Sequence, residues 1–270
     1  NLIDPFHLEA YGRTAVNYNR DVEVFPVMKR ILGKITGGDS FYRSPTDMGV
    51  NRAGFAVTDD GVTRQAALQE ILRRFFRYRC EYVMGFADRE TVQRVKLFIH
   101  DFGIRPEDRR VVEPAWQAAR EAEEQEKGNE GIFCGAAIEL RDGTIITGNN
   151  SRLMHASSSM ILHAIKHLAD IPDKIKLLPP YITNAIRDMK TDVLNEKSVS
   201  LDLEETLIAL SISATTNPAA QLAVEQLKNL RNCEVHITHI PTPGDEAGLR
   251  RLGVNLTSEP NFTTKDLFIP

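Results

Sequence analysis

The chain has 270 residues, of which 42% are apolar and 26% are charged, and its formal net charge is −4. This composition is typical of a folded protein large enough for two or three lobes, and it argues against extensive disorder. The acidic balance disfavours a nucleic-acid-binding protein, because neutralising phosphates requires a basic excess.

The beginning of the chain and its cysteines indicate a cytoplasmic protein. No stretch approaches the roughly 18 uninterrupted apolar residues of a membrane span, and residues 1–5 show neither the basic region nor the apolar core of a signal sequence. The three cysteines, Cys80, Cys134 and Cys233, are widely spaced and odd in number, which favours free thiols. The chain lacks an initiator methionine, so we expect it to be the piece of a longer polypeptide whose N-terminal half is its partner. No nucleic acid or membrane partner is expected.

Residues 1–61 are predicted to be an irregular segment that completes a preceding domain and carries polar loops. Apolar residues spaced three to four apart predict a helix over 24–35. A short strand is predicted over 53–58, closed by a turn at 59–61.

Residues 62–128 are predicted to form a helical lobe of three helices. An apolar stripe from Ala67 to Phe86 indicates the first helix. The second is predicted from Arg89, capped by Asp88, to a stop at Gly103. The third follows Pro106 and ends in a solvated charge run at 121–127.

Residues 129–270 are predicted to form an α/β lobe, so the chain as a whole belongs to the α/β class (α+β overall). A hairpin is expected over 132–140 and 144–147, around the turn at 141–143. Helices are predicted over 157–169, 203–214, 218–230 and 246–252, and strands over 233–240 and 254–257.

Two polar loops near the beginning of the chain are the candidate ligand-binding sites. An arginine fork binds phosphate or carboxylate oxygens in pairs, which makes Arg20 the predicted anion partner. Turn formation alone also explains the second loop, and an inter-lobe polar network is the alternative for the first. The candidate residues are Asn17, Tyr18, Asn19, Arg20 and Asp21 in the first loop, and Ser44, Thr46, Asp47 and Asn51 in the second.

No metal site is predicted from the histidines or cysteines. His163 and His167 lie four apart on a predicted helix without a third ligand, so we interpret them as solvated. His236 and His239 are three apart on a predicted strand and point to opposite faces. The serines at 157–159 are interpreted as a helix N-cap, since no nucleophile motif surrounds them.

The sequence at 131–143 and 146–150, followed by a helix, resembles the opening hairpin of cytidine-deaminase-like folds. In active deaminases that helix begins with a zinc ligand and a catalytic glutamate, and a later Pro-Cys-x-x-Cys completes the metal site. Here the corresponding region reads Ser158-Ser159-Met160-Ile161, and Pro-Cys-x-x-Cys is absent. The resemblance implies the fold without the deaminase activity.

A second resemblance extends over nearly the whole chain. The runs at 3–8, 16–21, 44–51, 217–218, 234–236 and 252–255 are similar to a bacterial family known only as domain of unknown function 1846. Members are roughly twice as long, so the chain resembles their C-terminal half. Their missing N-terminal half carries a stretch similar to a phosphate-binding loop.

Two hypotheses about function follow. In the first, the parent protein is an enzyme acting on a nucleotide or phosphorylated metabolite, and its phosphate site is shared with the missing half. No cofactor is expected in this chain itself. In the alternative, the chain is a non-catalytic assembly or interaction module with a deaminase-like lobe that lacks its metal, and the helices at 62–127 form a self-association face. A homo-oligomer is expected.

Overall fold

A computed structural model of the chain describes residues 60–101, 103–196 and 198–263. The chain divides into two compact units, Asn1–Tyr78 with Ala87–Ile104, and Arg79–Phe86 with Arg105–Pro270. The predicted helix at 24–35 and the predicted strand at 53–58 lie outside the described residues. The three predicted lobes, 1–61, 62–128 and 129–270, stay a prediction.

The described part of the first unit is helical. Helix α1 spans Asp60–Val83, its last residues belonging to the second unit, and helix α2 spans Arg89–Asp101. Oδ1 of Asp88 accepts a hydrogen bond from the backbone N–H of Thr91 at 2.7 Å, which confirms the predicted cap. The predicted turn at 59–61 is wrong at its last two residues, because α1 already begins at Asp60.

The second unit contains both helices and strands. A 3-10 turn at Pro106–Asp108 precedes helix α3 (Val112–Glu124). Another 3-10 turn spans Leu227–Leu230. In chain order the other elements are β1 (Gly135–Glu139), β2 (Ile145–Asn149), α4 (Ala156–Leu168), α5 (Pro180–Asp192), α6 (Leu203–Ala214), α7 (Pro218–Gln226), β3 (Glu234–Ile237), α8 (Pro243–Leu252) and β4 (Asn255–Ser258).

The four strands form one mixed sheet in the order β2-β1-β3-β4. Strand β1 is antiparallel to β2 and β3, and β3 is parallel to β4. Ala136 pairs with Gly148, so Gly135 and Gly148 lie on opposite faces of the sheet. A Cβ on Gly135 would lie 2.1 Å from the carbonyl oxygen of Ala115 in α3, and one on Gly148 would lie 2.2 Å from the backbone nitrogen of Met160 in α4. The two glycines therefore let one helix pack closely on each face.

The main hydrophobic core lies on the α4 side of the sheet. Its fully buried members include Ile138 of β1, Met160 and Ile165 of α4, Leu210 of α6 and Val235 of β3. A smaller cluster of Val111, Ala115 and Ala137 lies on the α3 side. The second unit thus has three layers, with the sheet between helices.

A buried arginine fastens the 3-10 turn to the sheet. Arg109 is 1% exposed and donates from Nε to Oγ1 of Thr257 at 2.9 Å and from Nη2 to the carbonyls of Val235 and Asn255 at 3.0 and 2.7 Å. Its Nη1 pairs with the carboxylate of Glu234. Since every buried donor must be satisfied, this side chain locks residue 109 to β3 and β4.

The α/β class is confirmed, as are the hairpin and the helices predicted at 157–169, 203–214, 218–230 and 246–252, with shifts of one to a few residues at their ends. Strands β1 and β3 are shorter than predicted, whereas β2 and β4 are displaced by one or two residues. Helix α5 was not predicted at all, and the third predicted helix begins only at Val112, after the 3-10 turn. In the described part of the chain, no helix is both long and apolar enough to cross a bilayer.

Candidate functional site

A cavity of about 690 Å³ opens in the second unit. Its size is that of a small-molecule pocket. Its wall combines the ends of strands β1 and β3, the first turn of α4 and the segment before α6. The polar side chains that line it are Asn129, Glu130, Asn150, His155, Ser157, Asn195, Glu196, Ser198, Ser200, His239, Thr242, Asp245 and Thr263.

The carboxylate of Asp245 accepts four hydrogen bonds in this wall. Oδ1 accepts from Oγ of Ser157 at 2.5 Å and from the backbone N–H of Leu203 at 3.0 Å. Oδ2 accepts from Nδ1 of His155 and from Oγ1 of Thr242, both at 2.8 Å. The Asp245 side chain is buried, and these four donors take the place of its water shell.

Three helix N-termini meet at this carboxylate. Ser157 is the second residue of α4, Leu203 is the first of α6, and Asp245 is the third of α8. The positive end of each helix dipole favours an anion there. Local sequence explains these starts: Thr242 accepts from the backbone N–H of Asp245, and Asp202 forms a capping box with Glu205.

His155 and Asp245 shift one another's ionisation. Burial alone raises the pKa of Asp245, but the hydrogen bond and charge of His155, with the hydroxyls of Ser157 and Thr242, bring that pKa below its ordinary value. Burial lowers the pKa of His155, yet the hydrogen bond and charge of Asp245, aided by Asp202, raise it above 6.5. The pair therefore favours an ionised Asp245 beside an imidazolium.

The backbone fixes His155 at the entrance to α4. Its N–H donates to the carbonyl of Leu201 at 2.9 Å, and it is the N-cap residue of the helix. Because Nδ1 faces Asp245, Nε2 is the ring nitrogen left for a ligand. With Asp245 ionised, Nδ1 carries a proton, so Nε2 accepts a proton in the neutral ring and donates one in the cation.

Two other groups line the cavity but are unsuited to catalysis: His239 is a poor proton acceptor and Cys134 is a poor nucleophile. Burial lowers the pKa of His239, whose Nδ1 lies 3.0 Å from Oγ1 of Thr238. Burial, together with the charge of Asp245, raises the pKa of Cys134 to about 12. The Cys134 thiol is therefore protonated at neutral pH and is not an activated nucleophile.

Part of the cavity wall is formed by residues 194–196, 198 and 200, and one lysine holds this stretch. Nζ of Lys190 donates to the carbonyl of Ser200 and to both carboxylate oxygens of Glu205, each at 3.0 Å. It also pairs with Glu196 at 3.2 Å. Although burial opposes it, the two glutamates raise the pKa of Lys190, so this clamp is charged.

The predicted ligand site stays a prediction, because the structure does not describe its residues. Outside the described residues lie Asn17, Tyr18, Asn19, Arg20, Asp21, Ser44, Thr46, Asp47 and Asn51.

The predicted serine N-cap is wrong: His155 is the N-cap, while the Ser157 hydroxyl donates to Asp245 and that of Ser158 to the carbonyl of Leu201. His163 and His167 are exposed, as predicted. Within the part of the chain described, no three His, Cys, Asp or Glu side chains are grouped so as to hold a metal ion.

Sequence reasoning missed His155, Thr242 and Asp245. The available signal was weak: a histidine two residues before a serine at one predicted helix start, and Pro241-Thr242-Pro243-Gly244-Asp245 at another. Neither run matches a common catalytic motif without the spatial contact between them.

Comparison with known proteins identifies related sequences of unknown function. Residues 107–268 match the family model described as "Domain of unknown function DUF1846, C-terminal", and residues 1–103 match its N-terminal counterpart. The expectation that the chain represents only the C-terminal half of the family is therefore wrong, because both family models are represented.

The curated relatives are called "UPF0371 protein". One from Clostridium botulinum (strain Alaska E43 / Type E3) is 47% identical over 268 residues, which are 99% of this chain and 53% of the relative. One from Clostridium tetani (strain Massachusetts / E88) is 46% identical, with the same shares of both chains covered. The chain thus spans about half the length of the curated relatives it matches.

Proposed function

The chain belongs to the DUF1846 family, and from that premise we propose that it carries the acid–base site of an enzyme acting on a small metabolite with an anionic group. The observation that supports this most is the pairing of His155 with the buried Asp245 in the wall of a ligand-sized cavity. A carboxylate that orients an imidazole and favours its cation is a common arrangement for proton transfer.

The first turn of α4 favours an anionic ligand. Ala156 and Ser157 line the cavity beside His155. The first N–H groups of a helix have no partner within it, and together with the dipole they attract phosphate or carboxylate oxygens. Glu130 and Glu196 also line the cavity, so the anionic group is expected at the His155 side and neutral or cationic groups elsewhere.

A phosphate-bearing ligand agrees with the proposal of a nucleotide or phosphorylated metabolite for the whole protein. In that proposal the loops with Arg20 and Asp47 contribute to binding, together with chain beyond this one. Arg20→Ala in the full-length protein should then weaken phosphate or nucleotide binding without lowering the melting temperature. Unchanged affinity for phosphate or nucleotide would show that Arg20 is not part of the binding site.

The experiment for the His155 site is a titration followed by NMR of ¹⁵N-labelled imidazoles. Inorganic phosphate and adenosine monophosphate are added separately to this chain and to the full-length protein. We expect a saturable change in the His155 ring signals. His155→Asn removes the reporting ring, so its binding is followed by calorimetry; it should lose the binding, since the Asn amide can still donate to Asp245 but offers nothing at the Nε2 position. His167→Gln, an exposed histidine of the same helix, is the matched control and should leave it intact.

The fold of the second unit is a further part of the proposal. The hairpin β1–β2 followed by helix α4 supports a cytidine-deaminase-like fold, since this is the order in which that fold begins. In it, the starts of α4 and α8 are the places where functional side chains belong.

A non-catalytic assembly module is the second candidate, favoured by an apolar patch on α6. Ile208 and Ile212 are 60% and 52% exposed and lie four residues apart, on one face of the helix. Self-association through this face would show in light scattering as a homo-oligomer. The double variant Ile208→Glu/Ile212→Glu should then convert it to a monomer, and an unchanged mass would remove this candidate.

A further inference from the structure

The side chains around Asp245 follow a spacing that occurs in zinc-dependent deaminases. Those enzymes place His-x-Glu at the start of one helix and Pro-Cys-x-x-Cys at the start of a later one. In this chain His155-Ala156-Ser157 lies at the start of α4, so the corresponding positions are these and not 158–161 as the sequence alone suggested. Pro241-Thr242-Pro243-Gly244-Asp245 lies at the start of α8. The structure brings the two runs into contact.

We propose that His155, Thr242 and Asp245 occupy the three zinc-ligand positions of the deaminase-like fold, that Ser157 stands at the position of the catalytic glutamate, and that a hydrogen-bonded cluster replaces the metal. This inference rests on the fold proposed above, but not on the identity of the ligand.

Distances within the cluster are those of hydrogen bonds, not of a metal shell. Ligand atoms about 2.1 Å from a tetrahedral zinc lie roughly 3.4 Å from one another. Here Oδ2 of Asp245 lies only 2.8 Å from both Nδ1 of His155 and Oγ1 of Thr242. Protons on the nitrogen and the hydroxyl occupy these two gaps, and both distances are shorter than a tetrahedral zinc shell requires.

The donor set does not suit zinc either. Structural and catalytic zinc sites use thiolate, imidazole and carboxylate ligands. Thr242 offers a neutral hydroxyl, and both oxygens of Asp245 already accept two hydrogen bonds each. The Ser157 hydroxyl is a neutral alcohol that donates to Asp245, and it lacks the basic carboxylate with which a glutamate accepts a proton.

The replacement changes which group meets the ligand. In place of a metal ion, the cavity presents the imidazole of His155, whose position Asp245 fixes. This group exchanges a proton or donates a hydrogen bond to an oxygen of the ligand. The substitution of Cys-x-x-Cys by Thr-x-x-Asp thus accounts for a buried carboxylate where three helices begin.

The test restores the thiolates. The wild-type protein, Thr242→Cys and Thr242→Cys/Asp245→Cys are titrated with Zn²⁺, and with Co²⁺ as a spectroscopic probe. We expect no stoichiometric binding by the wild type. The double variant should bind one equivalent with an affinity about 100-fold higher or more, and show the visible absorption of a thiolate-bound Co²⁺. Adding His155→Asn should weaken that binding at least about tenfold.

Two results would overturn the inference. One is a stoichiometric zinc ion in the wild-type protein. The other is that the cysteine variants, while folded by circular dichroism, bind metal no better than the wild type. If the double variant does not fold, the comparison is made with Thr242→Cys, which keeps Asp245. The phosphate response of His155 is measured separately on the wild type, so failure here and failure of the proposed function can be told apart.

Discussion

Nδ1 of His155 lies 2.8 Å from Oδ2 of Asp245, a residue 90 positions further along the chain. Asp245 is buried and ionised, so the contact fixes the tautomer of the neutral imidazole with its proton on Nδ1. It also favours the imidazolium, because removing that charge would leave the carboxylate without its cation.

The first prediction concerns the titration of His155. Asp245→Asn keeps a hydrogen-bond acceptor but removes the charge, so the pKa of His155 should fall from its raised value. NMR of the ring nitrogens as a function of pH measures this shift. Asp202→Asn should cause a smaller decrease, since Asp202 acts on His155 through its charge alone. An unchanged titration curve in Asp245→Asn would mean that the contact does not control the imidazole.

The raised pKa of His155 also predicts how stability depends on pH. A histidine that binds its proton more tightly in the folded state contributes stability that is complete below pH 6.5 and is lost as the pH rises through the folded pKa. The free energy of unfolding of the wild type minus that of His155→Asn should therefore decrease from pH 6 toward pH 9. For one proton the slope is at most about 1.4 kcal/mol per pH unit. Urea unfolding at several pH values measures the difference, and a constant difference would contradict the prediction.

Arg109 and its neighbour Arg110 offer a matched pair for stability. Arg109→Met should cost about 3–5 kcal/mol in unfolding free energy, because it deprives Glu234 and two carbonyls of their buried donor. Arg110 is 61% exposed and pairs with Glu139 at the surface, so Arg110→Met should cost less than about 1 kcal/mol. Guanidinium unfolding of the two variants tests the contrast, and equal losses would show that the Arg109 network adds nothing.

The elements that sequence predicted well carry their signals locally. Helix α6 begins and ends where expected, because Asp202 and Glu205 form a capping box at its start. Helix α5 was missed although Ile182, Ile186 and Met189 keep a helical spacing. Of the large apolar residues in this helix, only Ile182 is buried, and the polar majority obscured the pattern.

The site was beyond sequence reasoning for a physical reason. Asp245 meets Ser157 and His155 across 88 and 90 residues, and Leu203 across 42. These contacts exist only when three helices pack with their N-termini together. The order of these residues along the chain does not reveal that they meet in the folded protein.

Cys134 should be inert even though it lines the cavity. Its pKa is raised to about 12, first by burial and then by the charge of Asp245, and burial also raises those of Cys80 and Cys233. At pH 8 the Cys134 thiolate is therefore a fraction of roughly one in ten thousand. We expect no rapid reaction of the native protein with Ellman's reagent, and three reactive thiols after unfolding in urea. A native thiol reacting as fast as free cysteine would restore Cys134 as a candidate nucleophile.

The last prediction concerns the segment at 194–200, which Lys190 holds against the cavity. Lys190→Met keeps most of the aliphatic stem but removes the ammonium bound to the carbonyl of Ser200 and to Glu205 and Glu196. Among the described residues of this stretch, 194–196 and 198–200, none belongs to a helix or strand, so their amides should exchange with deuterium faster, while those of the sheet should not change.

Lys166→Met is the matched control, because Lys166 is equally buried but donates to the carbonyl of Asp173, outside the lining of this cavity. It should leave exchange at 194–200 as in the wild type. Should both variants accelerate exchange in that segment to the same extent, the effect would be a general loss of stability and not the loss of a clamp. An effect confined to Lys190→Met would mean that one buried cation sets the mobility of the cavity wall, and hence the access of ligands to His155.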